Sequence, residues 1–355
     1  MRATPLIVAL AAACPLLASA QDPARCAALQ DDAARLACYD GLFGAKPGPS
    51  PAPAAAASAP ALPVRNEAAA LGEVAPAPSG RGLAAGDYLA RFWELDPGDG
   101  RDTFVVRTYQ PNFLTAHASA PVNRAPHSPS HPDGGSFRDY RHVEAEVQVS
   151  LRAKVLADLV GHGNLWLAYT QQSLWQVLDG DDSRPFRASD YKPEADYVLP
   201  IPERLGTLGG WRWRLAQVGI AHESNGLSDP LSRSWNYIDL ATAFTHDDFA
   251  LQARHFWRLP ESGVNDNVDL ASYIGSTELE ADWFPGTSTH QLTARTSFDS
   301  WHRGSLKYVW THPVSAAKPD GLRWYVQLFT GYGETLLDYN HHQDSVAVGF
   351  TLFQL

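Results

Sequence analysis

The sequence predicts an all-β fold, a closed twelve-stranded antiparallel transmembrane β-barrel, on three observations. The first is strict alternation. In VEAEVQVSLRAKV, Val143, Ala145, Val147, Val149, Leu151, Ala153 and Val155 alternate with Glu144, Glu146, Gln148, Ser150, Arg152 and Lys154. Thirteen residues is long for a soluble sandwich strand, and a polar face carrying both signs of charge fits an apolar exterior around a charged lumen. The second is recurrence. Thr277, Leu279, Ala281 and Trp283 alternate with Glu278, Glu280 and Asp282, and Leu322, Trp324, Val326 and Leu328 with Arg323, Tyr325 and Gln327. Roughly twelve such segments fit between Asp87 and Leu355, an even number as bacterial outer-membrane barrels require. The third is that no apolar run beyond the N-terminus reaches the ~18 residues of a spanning helix, whereas spanning strands need only about 9–11. The 11 Trp and 13 Tyr, many near segment ends, suit interfacial girdles. The last segment, SVAVGFTLFQL, alternates well but ends in Leu355, where such barrels usually end in an aromatic residue.

Ahead of the barrel, Arg2, the apolar run Leu6 to Leu17 and Ala18-Ser19-Ala20 have the three regions of a secretory signal, so residues 1–20 are expected to be cleaved. A lipoprotein reading through Cys14 fits less well, because Ala11 replaces a larger aliphatic residue and Pro15 follows. Export leaves Cys26 and Cys38 as a pair in an oxidising compartment, and a disulfide is expected inside a short helical segment, residues 21–45. Residues 46–86 are rich in Pro and Ala and read as a semi-rigid linker without a core. Residues 87–355 form the barrel domain. The formal net charge of −11 disfavours nucleic acid as a partner.

One segment carries chemistry: HESNGLSDPLSRSWN, His222 to Asn236. His222 and Ser224 stand at i and i+2, on one face of a strand. Ala216, Val218 and Ile220 precede them on the same parity, so both continue the lipid-facing row. On the next strand Asn236 shares its face with Ile238, Leu240 and Phe244. Asn225-Gly226 is a common turn dipeptide, and His, Ser and Asn are ordinary rim residues of a barrel. Three hydrogen-bonding groups on the lipid-facing parity of adjacent strands favour a site instead, because such groups are costly in hydrocarbon. Ser224 would attack an ester carbonyl, His222 would act as its general base, and Asn236 would orient the imidazole. An amide adds no negative charge, so a cation near the oxyanion would help. Ser228, Asp229, Ser232, Asp181, Asp182 and Ser183 offer hard oxygen ligands suited to calcium, although Asp- and Ser-rich loops are mostly solvated turns.

Together with YTQQSLWQ from Tyr169, SRPF from Ser183, DNVD at Asp266 to Asp269 and GYGETLLDYN from Gly331, this segment resembles the outer-membrane phospholipase A family of Gram-negative bacteria. The resemblance implies a catalytic triad of Ser224, His222 and Asn236 on the outside of the barrel at the outer-leaflet rim. It implies calcium-dependent hydrolysis of acyl esters in phospholipids and lysophospholipids, a phospholipase A1/A2 activity, by a homodimer integral to the outer membrane with its N-terminal extension periplasmic. Calcium would be held by the carbonyl of Leu227, the hydroxyl of Ser232 and the hydroxyl of Ser183 from the partner subunit. Leu227 replaces the family's arginine, which a carbonyl ligand tolerates. Asp229 and Asp266 would form a second calcium site, with Asp269 a close alternative to Asp266. Gln171 would lie in the dimer interface, and its parity with Leu165, Leu167 and Tyr169 independently places this amide in the membrane. The alternative is a non-enzymatic barrel, a channel or structural anchor. Mixed lumen charges argue for a plugged interior, and the outward parity counts against a protease built from acidic residues above the lumen.

Overall fold

The computed structural model describes residues 24–43, 84–96, 100, 102–181, 183, 185–261, 265–298, 300 and 302–352. The expected signal segment, residues 1–20, and most of the expected linker lie outside the described residues. The chain divides into two compact units, residues 1–73 and 74–355. In the first, helices α1 (Ala24–Ala27) and α2 (Asp32–Phe43) are joined by the Cys26–Cys38 disulfide. Asp31 Oδ1 accepts from the Ala34 amide at 2.8 Å, satisfying one of the free N–H groups at the start of α2.

The second unit is a closed barrel. Its twelve strands are β1 (Asn112–Ala120), β2 (Val143–Leu156), β3 (Asn164–Trp175), β4 (Phe186–Pro200), β5 (Trp211–Ser224), β6 (Ser234–His246), β7 (Phe249–Arg258), β8 (Thr277–Trp283), β9 (Thr289–Thr296), β10 (Ser305–Pro313), β11 (Leu322–Gly331) and β12 (Gln343–Leu352). Each pairs antiparallel with the next, and β12 returns to β1 through Asp344↔Ala120 to Leu352↔Asn112, so no edge is left open. Two short ribbons, Val106–Thr108 on β2 and Thr207–Leu208 on β5, extend the wall.

The pleat sorts the residues as the alternation predicts. On β2, Val149 and Leu151 are exposed while Glu144, Glu146, Ser150, Arg152 and Lys154 are buried in the lumen. On β11, Leu322, Trp324 and Leu328 face outward and Arg323, Tyr325 and Gln327 inward. Gly219 of β5 also faces inward. A Cβ there would overlap the carboxylates of Asp196 and Asp239 on the flanking strands.

Both ends of the lumen are filled. At the rim opposite Ser224 lies α3 (Ala85–Trp93), a helix straddling the expected linker-to-barrel boundary where no helix is expected from the sequence. Its Leu89, Phe92 and Trp93 pack against Tyr109, Trp166, Val198 and Leu215. The Arg152 guanidinium stacks 3.6 Å from the Phe92 ring and 4.6 Å from those of Trp93 and Trp166, and Lys154 Nζ meets Glu94 Oε2 at 2.5 Å. At the other rim, Leu336 and Tyr339 of the β11–β12 loop pack on Trp235, Tyr237, Phe256 and Ile274. A cavity of about 350 Å³ remains between the plugs, its wall including Lys192, Glu223, Arg254 and Glu278. This is the plugged, ion-paired interior that the mixed lumen charges predict.

Candidate active site

The site is built on β5 and β6, whose register sets His222 opposite Asn236, Glu223 opposite Trp235 and Ser224 opposite Ser234. Residues directly opposite across an antiparallel pair have Cβ atoms about 4.5–5.5 Å apart, so a short amide reaches an imidazole. His222 Nδ1 and Asn236 Oδ1 are 2.9 Å apart. With the amide oxygen accepting, the proton sits on Nδ1 and Nε2 keeps its lone pair. His222 is exposed and Asn236 half-buried, in the outward row with Val218, Ile220, Ile238 and Leu240. Ser224 is half-buried two residues beyond His222 and makes no hydrogen bond to it among the described residues. The structure thus brings His222 and Asn236 into direct contact and places Ser224 beside them without closing the Ser–His contact. Catalytic hydrogen bonds are commonly loose without substrate.

The lumen face of the same strands forms a rigid backing. Trp235 Nε1 donates to Glu223 Oε2 at 2.9 Å, and the Trp235 and Tyr237 rings lie 4.3 Å apart. Alternation therefore gives each site residue a packed neighbour on the opposite side of the sheet.

The loop joining the strands holds Leu227, Asp229 and Ser232, and its shape comes from Asn225 and Arg233. Asn225 is buried and spans the loop. Its Nδ2 donates to the Leu231 carbonyl at 2.8 Å, and its Oδ1 accepts from the amides of Leu227 at 3.3 Å and Arg233 at 3.0 Å. Read as half of a turn dipeptide, Asn225 instead acts as a cross-brace. Arg233 Nη1 donates to the carbonyls of Pro230 at 3.0 Å and Ser232 at 2.7 Å. Burial pulls the Arg233 guanidinium below its ordinary pKa, against the opposing pull of Tyr339, Asp266, Asp269 and Asp229. The β7–β8 loop is tied in as well. Asn267 Nδ2 donates to the Ser234 carbonyl at 2.9 Å, and Arg258 Nη1 donates to the Asn267 carbonyl at 2.6 Å.

The remaining candidates separate clearly. Asp229 and Asp266 converge, and His131 of the β1–β2 loop joins them, with one ligand atom from each lying within 4.8 Å of the others. Asp269 does not take part in this cluster; its Oδ1 accepts from Tyr339 Oη at 2.7 Å. Ser183 lies in the β3–β4 turn with φ of 59°. Gln171 lies on the outer wall of β3, where its Oε1 accepts from Tyr169 Oη at 3.2 Å and its Nε2 donates to Ser173 Oγ at 3.4 Å, so the amide has partners within its own strand.

A plugged transmembrane barrel with a His–Asn pair and a serine on its outer wall defines a class, the outer-membrane β-barrel enzymes. A family described as Phospholipase A1 matches residues 89–352, nearly the whole barrel unit. The chain is 32% identical over 348 residues to a putative phospholipase A1 of Neisseria meningitidis serogroup B, covering 92% of this chain and 89% of that protein. It is 27% identical over 297 residues to phospholipase A1 of Escherichia coli, covering 83% and 94%. Among solved structures, outer membrane phospholipase A from Escherichia coli matches with a TM-score of 0.63 at 26% identity, covering 71% of this chain and 100% of that one. The Salmonella typhi outer membrane phospholipase dimer with bound calcium matches at 0.65 and 25%, covering 77% and 99%. The chain belongs to the phospholipase A1 family. It is a phospholipase and an outer-membrane protein.

Proposed function

We propose that the chain hydrolyses acyl ester bonds of phospholipids and lysophospholipids, at A1 and A2 positions, with Ser224 as nucleophile, His222 as general base and Asn236 as orienting residue. The observation that carries this reading is the 2.9 Å His222–Asn236 contact on the outward row shared with Ser224, where substrate arrives from within the membrane. Nε2 of His222 takes the Ser224 proton as Oγ attacks the carbonyl carbon, then returns it to the departing lysolipid or glyceryl oxygen. Water enters the acyl-enzyme by the same route and releases the fatty acid. Asn236 keeps the imidazole in the tautomer that leaves Nε2 basic.

The Leu227 carbonyl and Ser232 hydroxyl lie in the loop that follows Ser224, and with the hydroxyl of Ser183 from the partner subunit they form an all-oxygen set suited to calcium. Calcium bound there supplies positive charge near the oxyanion. Asp229 and Asp266 are read as a second cation site. The divided ligand set supports a homodimer as the active form, with Gln171 in its interface and the N-terminal extension in the periplasm. The calcium-bound dimer of the Salmonella typhi protein supports the same reading.

Chelating calcium with EDTA in mixed detergent–phospholipid micelles is expected to suppress hydrolysis about a hundredfold, reversibly on adding calcium back; full activity in EDTA would overturn the calcium assignment. Asn236→Ala is expected to lower kcat about ten- to a hundredfold with little change in KM, the loss of one hydrogen bond to a group that charges in the transition state. A wild-type kcat in that variant would remove Asn236 from the mechanism.

A further inference from the structure

The formal net charge is −11, yet one recess on the outer wall is lined by basic side chains and by no Asp or Glu among the described residues. It opens where Thr296 ends β9, Ser305 begins β10 and Gly331 ends β11, the same rim at which Ser224 ends β5. The loops contribute His302, Arg303, Tyr332 and His342, and the strands contribute Thr296, Leu306 and Thr330, around a volume of about 290 Å³. Leu306 is exposed and pairs with Thr330, and the exposed Leu292 and Leu328 continue this outward row away from the rim. Asp344, opposite Thr330 on β12, does not line the recess.

Arg303 supplies the fixed charge. Its guanidinium carbon lies 3.9 Å from the centre of the Tyr273 ring, and among the described residues its side chain makes no hydrogen bond or ion pair. Stacking uses the face of the guanidinium and leaves the N–H donors on its edge for an anion. Tyr273 is itself held, 5.2 Å from the Tyr332 ring and 5.8 Å from that of Tyr339, and the Tyr332 ring meets His342 at 5.3 Å. Arg295 also borders the recess, but its guanidinium is engaged with Glu278 at 3.7 Å and with the Phe256 ring at 4.9 Å. At Gly304, with φ of 114°, a Cβ would overlap the Arg295 carbonyl, so β9 and β10 meet closely next to Arg303.

We propose that this recess binds the phosphate of an anionic membrane lipid whose chains lie along Leu306, Leu292 and Leu328. A planar guanidinium takes phosphate oxygens two at a time, and the two imidazoles and the hydroxyls of Thr296, Thr330 and Tyr332 add donors around it. A soluble anion would meet the same donors, but only a ligand with chains uses the apolar row that runs from the recess. The triad stands on β5 and β6, so a lipid held at β9 to β11 is not the one being hydrolysed. The recess is a second lipid contact of the barrel.

Full-length protein in a non-ionic detergent with EDTA is titrated with dihexadecyl phosphate, which has no carboxylic ester to hydrolyse, and the retained lipid is counted by native mass spectrometry. Wild type and Lys318→Gln, a change in the exposed turn at the opposite rim, are expected to retain a single dihexadecyl phosphate per chain. Arg303→Gln is expected to weaken that binding about ten- to a hundredfold, and His302→Glu, which places a carboxylate in the recess, about tenfold. The lipid should also raise the thermal unfolding midpoint of wild type but not of Arg303→Gln. Heat-modifiable gel mobility shows which variants are folded, and either recess variant alone suffices for the comparison. Undiminished binding in a folded Arg303→Gln or His302→Glu variant overturns the site. Loss of the bound lipid on adding equimolar inorganic phosphate would assign the recess to a free anion and overturn the lipid. The readout is binding, so a failure of Ser224 as nucleophile would leave this site standing.

Discussion

Ser224→Ala is expected to lower kcat for phospholipid hydrolysis about a thousandfold or more while the barrel stays folded. In the proposed mechanism the hydroxyl is the group that forms the acyl bond, so neither imidazole nor cation could substitute for it. Among the described residues its side chain makes no hydrogen bond, so the substitution should change stability by less than about 0.5 kcal/mol. Hydrolysis in calcium-containing micelles, with heat-modifiable mobility as the control for folding, checks this. Equal rates in variant and wild type would sink the assignment of the nucleophile, and a sulfonyl fluoride that labels wild type but not the variant would strengthen it.

Arg187→Leu is expected to destabilise the barrel by about 3–5 kcal/mol. Arg187 Nε lies 2.9 and 3.1 Å from the two Glu144 oxygens, and its Nη1 lies 2.6 Å from Asp338 Oδ2, with all three groups buried. Removing the guanidinium leaves two carboxylates in the lumen without their cation. The same pair joins the barrel wall to the β11–β12 loop that plugs the rim beneath the active site. Urea or thermal unfolding in detergent measures the loss, and the triple variant Arg187→Leu, Glu144→Gln, Asp338→Asn should recover much of it because no buried charge is left unpaired. A single variant as stable as wild type would show that water or a neighbouring cation compensates. For Asp338, burial alone would raise the carboxyl pKa, but Arg187 outweighs it and holds the group below its ordinary value. A depressed carboxyl stabilises the fold above its unfolded pKa of about 3.9, and that contribution is lost as pH falls through the lower folded value.

The barrel wall was legible because a two-residue period survives in the sequence wherever one face meets lipid and the other meets charge. Helix α3 was not. Its nine residues carry Leu89, Phe92 and Trp93 at helical spacing, but so short a helix is marginal alone and is held by Tyr109 and by the Trp166 and Leu215 surfaces that arrive from distant strands. Its neighbour Glu94 shows the same dependence, being buried against Lys154 from sixty residues away.

At the site, parity along β5 and β6 is a local property and was enough to turn His222, Ser224 and Asn236 outward. That His222 meets Asn236 directly depends on cross-strand register, which the loop from Asn225 to Arg233 sets through its own hydrogen bonds. Asn225 and Arg233 carried no signal beyond turn chemistry, because their role is defined by the carbonyls they reach. His131 is the extreme case. It lies 135 residues before Asp266 in a loop with no periodicity, and only closure of the barrel brings the two together.

The sequence by itself therefore determined what alternation and spacing can encode: a membrane barrel, the faces of its strands, and an outward His and Ser with an Asn on the next strand. Tertiary structure decided the plugging of the lumen by α3 and the β11–β12 loop, the brace across the β5–β6 loop, the choice of Asp266 over Asp269 beside Asp229, and the arrival of His131. The physical reason is range. Pleat and parity repeat every two residues, whereas buried charges and loop contacts find partners only after twelve strands have closed into one wall.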